Sequence, residues 1–228
     1  MEPVTLTTER LVLRPLAPDD ADDVLAACQD PEIQRWVPIP VPYERQHAEH
    51  FVERMVPDGW RTATVCTFGV VPRDGGQVMG AVNAHCRSGL WEIGYWTARE
   101  HRGRGYTAEA ARAVAHWVFT ALGAQRLEWR AEVGNTGSRA VAEKAGFLVE
   151  GTLRAALFHR DTLRDMWVGA LLPSDLGLPG THPYLPSGEG KARRWVRACP
   201  QGAWTGPRGP EGARAAPHCQ CRRLSCGP

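Results

Sequence analysis

The stretch Glu100–Gly123, EHRGRGYTAEAARAVAHWVFTALG, decides how the rest of this chain is read. Gly103 and Gly105 can adopt backbone conformations that a side chain forbids, so the peptide N–H groups between Arg102 and Thr107 can converge on one anion. Directly after them, Ala111, Val114, Val118 and Leu122 recur at helical spacing, with Ala110, Trp117 and Ala121 beside them, and Gly123 is placed to stop the helix. The glycines therefore lie at a helix N-terminus. There the unpaired N–H groups and the positive end of the helix dipole join the charges of Arg102 and Arg104 in a site suited to a pyrophosphate.

The flanks define the unit to which the loop belongs. Upstream, LWEIGYW (Leu90–Trp96) alternates Trp91, Ile93 and Tyr95 against Leu90, Glu92 and Trp96, as a strand does. Downstream, RLEWRAEV sets Leu127, Trp129, Ala131 and Val133 against Arg126, Glu128, Arg130 and Glu132. Strand, glycine loop, helix and strand make a βαβ unit, whose two strands are parallel.

Elsewhere the chain alternates short elements. Arg10–Leu16 reads as a strand, and Pro18 opens a helix that Asp30-Pro31 closes. Tyr43–Met55 reads as a second helix. Thr62–Val71 and Gln77–Ala84 read as strands joined by the turn Pro72–Gly76. Beyond the βαβ unit, Asn135 and Ser138 can cap a short helix that Gly146-Phe147 stops, and Phe147–Leu157 and Arg164–Leu172 complete the sheet.

At 228 residues and 43% hydrophobic content the chain can bury a substantial core, and it contains no stretch of transmembrane length and no apolar signal core near Met1. A cytoplasmic protein without a disulfide framework is expected, in which Cys28, Cys66 and Cys86 are reduced packing residues. The net charge of +2 is an average of unlike parts, because residues 174–228 hold 8 Lys plus Arg against 3 Asp plus Glu. Glycine and proline make up 17 of those 55 residues, so a domain 1–173 followed by a disordered tail 174–228 is expected. His47 and His50 lack a third ligand, and the tail's HCQC (His218–Cys221) does not have the spacing of a closed zinc site, so no metal is expected. Nor is a specific nucleic-acid partner, since the tail arginines lack aromatic residues interleaved at a regular spacing and belong to no recognisable fold.

In order, EIGYW, HRGRGYTAEA and NxxSxxxxEKxGF resemble the GNAT acyltransferases, in particular their ribosomal-protein acetylase (RimJ/RimL-like) branch, across residues 5–173. The family's R/Q-x-x-G-x-G/A motif is matched in its glycines, whereas Glu100 stands where the family has Arg or Gln. The resemblance implies an α+β GNAT fold. Such a fold has a mixed, mostly antiparallel sheet of six to seven strands with a central parallel pair splayed apart, and about four flanking helices. It further implies an N-acetyltransferase, acting as monomer or homodimer, with acetyl-CoA as co-substrate and an amine as acceptor. In that fold the pantetheine arm lies in the gap between the splayed strands, here along Tyr95, Trp96 and Thr97, while the loop residues Arg102, Gly103, Arg104, Gly105, Tyr106 and Thr107 take the pyrophosphate. Asn135 matches a cofactor-binding asparagine and Ser138 the serine proposed to protonate the leaving thiolate. Both also serve as caps. Glu92 shares a strand face with Leu90 and Trp96, an apolar setting that would suit it to take the amine proton, or else it is an ion-paired strand carboxylate. Two rival readings stand beside this one. One is a non-catalytic acyl-CoA-binding module. The other is a dinucleotide-binding domain built on Gly103, Gly105 and Ala108, against which the five residues between strand and first glycine count.

Overall fold

The two alternating stretches become neighbouring strands at the centre of the sheet in the computed structural model, which describes residues 1–186. Among the described residues eight strands pair: β1 (Leu6–Thr7), β2 (Leu11–Arg14), β3 (Val65–Pro72), β4 (Gly80–Arg87), β5 (Leu90–Thr97), β6 (Leu127–Glu132), β7 (Leu148–His159) and β8 (Thr162–Leu171). Their spatial order is β1-β2-β3-β4-β5-β6-β8-β7. Every pairing is antiparallel except β5 with β6. Six to seven strands were expected. The extra one is the two-residue β1, too short for any alternation to show in the sequence.

The connection between β5 and β6 is α5 (Tyr106–Ala121), as the helical spacing requires. Its Ala110, Ala111, Val114, Ala115 and Val118 are fully buried. The small alanines let the helix axis approach the sheet, and each fully buried valine contributes about 1.5–3 kcal/mol. At the far end of this helix Trp117 packs on Trp60 and Phe68, with ring centroids 5.7 and 5.4 Å away. The helix carrying the glycine loop is thus bolted to the core along its length.

More helical segments form than the four expected: α1 (Ala21–Ala27), α2 (Pro31–Trp36), α3 (Arg45–His50), α4 (Val56–Thr62), α5 and α6 (Thr136–Ala145). Asp30-Pro31 does not merely end α1. Asp30 accepts the N–H of Glu32 at 3.1 Å and Pro31 occupies the first turn, so the pair starts α2. The second helix also runs past Met55, because a π-helical turn (Phe51–Met55) joins α3 to α4. That wider turn brings Pro57, which has no N–H to donate, into the first turn of α4. The helix then consumes Thr62, and β3 begins only at Val65.

Packing continues beyond Pro173. A 3-10 turn (Pro173–Leu176) follows β8, Leu176 and Leu178 lie against the core, and the N–H of Thr181 donates to Gln125 at 2.8 Å. The remainder of the expected tail, including His218–Cys221, lies outside the described residues. No helix among the described residues is long and apolar enough to cross a membrane.

Candidate functional site

The loop between β5 and α5 has the conformation that its glycines permit. Gly103 and Gly105 have φ of +77° and +81°, and Gly105 is the N-cap of α5. A Cβ at Gly103 would meet nothing within 4 Å, so the glycine is there for its backbone angle and not for lack of room. Among the described residues, the N–H groups of Gly103, Arg104, Gly105, Tyr106 and Thr107 have no acceptor. Five free donors at the start of a 16-residue helix form an anion cradle.

The Arg102 side chain is disposed differently from expectation. Arg102 donates from Nε to the carbonyl of Thr97 at 3.0 Å and pairs with Asp30, so its charge is directed to the α1–α2 junction. The residue that steadies the loop is Arg10, which no motif singles out. Its Nη1 donates to the carbonyl of Arg104 at 3.1 Å, its guanidinium lies 4.6 Å from the Tyr106 ring centroid, and it pairs with Glu109 at 2.6 Å. Burial disfavours the Glu109 carboxylate, but bonds from Thr8 and from the Arg10 N–H and guanidinium outweigh it and hold its pKa below the ordinary range.

Next to the cradle the sheet opens. Only Trp91, Glu92 and Ile93 of β5 pair with β6, opposite Leu127, Glu128 and Trp129, although β5 continues to Thr97. Tyr95, Trp96 and Thr97 therefore border a gap whose outer end reaches the glycine loop. The hydroxyls of Thr97 and Thr107 bond to each other and fix that end of the strand to the first turn of α5.

On the face of β5 that carries Ile93, a small polar knot sits beside the gap. Asn135 caps α6 by accepting the N–H of Ser138 at 3.0 Å. Trp129 donates Nε1–H to Ser138 Oγ at 3.0 Å, and the Tyr95 hydroxyl donates to the Ser138 carbonyl at 2.8 Å. The Ser138 hydroxyl proton is left with the longest contact, 3.4 Å to the Tyr95 oxygen. Because Oγ already accepts an N–H, its own proton is more readily donated. Burial pushes the Tyr95 phenol well above its ordinary pKa, so it stays protonated and remains a donor. The role of Trp129 was not readable in advance, since an indole on the core face of a strand gives no sign of where its N–H points.

Glu92 lies on the opposite face. The apolar setting expected for it is absent: its carboxylate is 3.7 Å from His85 Nε2 and 3.7 Å from Arg130 Nε, and Glu128 is its neighbour across the parallel pair. Arg130 in turn bonds Glu128 at 2.8 Å. The sequence alternation puts Glu128 and Arg130 on one face of their strand, but it could not show that this face adjoins Glu92 or that His85 of β4 stands directly opposite Glu92. Further along that face Glu132 accepts both Arg35 guanidinium nitrogens, at 2.7 and 3.0 Å, which chiefly lowers its pKa and ties α2 to β6. Of the two histidines with metal-like spacing, His47 accepts the N–H of Glu44 through Nδ1 at 3.0 Å and serves the start of α3.

Residues 10–148 match the family model described as an acetyltransferase (GNAT) domain. The chain belongs to the GNAT acetyltransferase family. It is similar to a putative ribosomal N-acetyltransferase of Bacillus subtilis, at 30% identity over 72% of this chain and 92% of that protein. An uncharacterized N-acetyltransferase of Bacillus licheniformis is 29% identical over 74% and 96% of the two chains. Among solved structures, a putative ribosomal-protein-serine acetyltransferase from Vibrio cholerae superposes with a TM-score of 0.67 at 25% identity, covering 75% of this chain and 98% of that one.

This GNAT protein is an acetyl-CoA-dependent N-acetyltransferase. Its residues suit that donor. The five free N–H groups of the loop match the pyrophosphate, and the unpaired edge of β5 beyond Ile93 offers main-chain donors and acceptors to the amides of the pantetheine arm. A dinucleotide-binding domain is ruled out by the antiparallel strands β1 to β4 and by the 3-10 turn Arg99–His101, which separates β5 from the first glycine.

Proposed function

We propose that the protein moves the acetyl group directly from acetyl-CoA to a primary amine, with Glu92 receiving the amine proton and Ser138 supplying a proton to the departing thiolate. The observation that carries this reading is that Glu92 and Ser138 flank one opening from opposite faces, where β5 and β6 separate after the pair Ile93–Trp129. An amine must be neutral to attack a thioester, and the thiolate leaves more easily if protonated. Glu92, half-buried beside the opening, takes a proton from the ammonium form. As the tetrahedral centre collapses, Ser138 exchanges its 3.4 Å contact with Tyr95 for the sulfur and gives it the Oγ proton, the second proton of the attacking nitrogen restores the Ser138 hydroxyl, and Trp129 and the helix cap hold Oγ in place. The residues assigned to the cofactor are Tyr95, Trp96 and Thr97 along the arm and Gly103, Arg104, Gly105, Tyr106 and Thr107 around the pyrophosphate. Asn135 acts through the Ser138 cap. Arg102 contributes charge only after leaving Asp30.

For the acceptor, the names of the relatives as ribosomal acetyltransferases favour a protein N-terminus over a small-molecule amine, and with it action in the cytoplasm. α2 and the β7–β8 hairpin come together on the Glu92 side, where Arg160 donates to the carbonyl of Gln34 at 2.5 Å, and these peripheral segments are suited to select the acceptor. The test is acetyl transfer to a panel of N-terminal peptides, polyamines and amino acids, with initial rates taken at varied concentrations of both substrates. Intersecting rate lines support direct transfer. Parallel lines would indicate an acetyl-enzyme, and CoA binding without turnover of any amine would indicate a binding module.

A further inference from the structure

On β4, His85 is the direct cross-strand partner of Glu92, and its Nε2 is 3.7 Å from Glu92 Oε2. Its other ring nitrogen, Nδ1, is 3.4 Å from Asn83 Oδ1. An amide oxygen only accepts, so that contact places the proton of neutral His85 on Nδ1 and leaves the Nε2 lone pair facing Glu92. The charged groups around the pair are Arg130, 3.7 Å from Glu92, and Glu128, which holds Arg130 at 2.8 Å. The His85 side chain is 26% exposed and that of Glu92 20%, so a proton passed to the ring can leave to bulk water.

We propose that His85 is a proton relay that returns Glu92 to its carboxylate form after each proton removal. The proposal rests on Glu92 being the base. In the first step the N–H bond of the ammonium acceptor breaks and an O–H bond forms on Glu92. In the second that O–H bond breaks and an N–H bond forms at His85 Nε2, giving an imidazolium still bound through Nδ1–H to Asn83. A small side-chain rotation, or one bridging water, closes the 3.7 Å separation. The imidazolium then gives its proton to water, which restores both groups. His85 is a positioning and relay residue, because it acts on the acceptor only through Glu92.

The test compares pH profiles of kcat on an accepted amine for wild type, His85→Ala, His85→Gln, Glu92→Gln and the double variant Glu92→Gln/His85→Ala. Both His85 variants should lose about tenfold in turnover, less than the 10²–10⁴-fold typical of removing a general base itself. The KM for acetyl-CoA should not move. Imidazole in the buffer should restore His85→Ala but not Glu92→Gln, and His85→Ala should cost nothing more once Glu92 is Gln. A loss in the His85 variants that is equal at every pH and insensitive to imidazole would overturn the relay and make His85 a structural strand residue. If Glu92→Gln slows the enzyme while both His85 variants turn over normally, the relay alone falls. If Glu92→Gln is also without effect, the base assignment falls and the relay with it.

Discussion

Substituting Gly103 by alanine isolates the backbone geometry of the cradle, since the new Cβ would meet nothing within 4 Å and only the φ of +77° is penalised. An L-residue in the left-handed region costs about 1–2 kcal/mol. Where that cost appears depends on whether the free loop can relax. If it can, the strain is imposed when the pyrophosphate gathers the N–H groups, and CoA affinity should fall about 5- to 30-fold. If Arg10 and the Thr97–Thr107 pair keep the loop rigid, the strain is present throughout and Tm should fall by about 2–8 °C. Calorimetric titration with CoA and a thermal melt on the same preparation measure both parts. Gly123→Ala is the control. Its φ is +68° and its surroundings are equally open, but it lies beyond the far end of α5, so it should lower Tm and leave CoA affinity alone. Gly103→Ala with unchanged Kd and unchanged Tm would refute the view that the cradle depends on this backbone angle.

Arg10→Ala removes the bond to the Arg104 carbonyl and the pair with Glu109, so CoA binding measured by calorimetry should weaken severalfold, while this partly exposed ion pair accounts for at most about 1 kcal/mol of stability. Glu132 has its pKa lowered in the fold chiefly by Arg35; its stabilisation is therefore complete above the unfolded carboxylate value of about 4.3 and is lost as pH falls through the lower folded value. Glu132→Gln should accordingly melt lower than wild type at pH 7, and the difference should shrink on acidification. Truncation after residue 186 should leave Tm and turnover unaltered, but truncation after Pro173 removes Leu176 and Leu178 from the core and should lower Tm by several degrees.

Much of the central unit was legible because its determinants are local. Alternation over Leu90–Trp96 and Arg126–Val133, helical spacing after Gly105 and the cap pattern at Asn135 each specify an element without outside help, and all formed. α2 was missed because Asp30-Pro31 reads equally as the end of one helix or the start of the next, and six residues are too few for a periodicity. The site was legible in outline only. Gly103 and Gly105 declare themselves by what they lack, whereas side-chain partners depend on which elements come together. Arg102 turns to Asp30, 72 residues away in sequence, and Arg10 reaches across 99 residues to Glu109. The surroundings of Glu92 illustrate the same limit. Its strand neighbours Leu90 and Trp96 suggested an apolar face, but the groups that approach its carboxylate come from β4 and β6.

The most direct test of the account is the pH dependence of turnover for wild type, Glu92→Gln and Ser138→Ala on one accepted amine, with CoA affinity measured alongside. Loss of the base should matter most at low pH, where few acceptor amines are already neutral, so Glu92→Gln should be partly relieved as pH rises. Ser138→Ala should be slowed without that relief, because a better nucleophile does not mend a poor leaving group. CoA affinity should persist in both, apart from a modest loss where the helix start is disturbed. A Glu92→Gln profile lowered by the same factor at every pH would contradict the central claim and leave Glu92 as an ion-paired strand carboxylate.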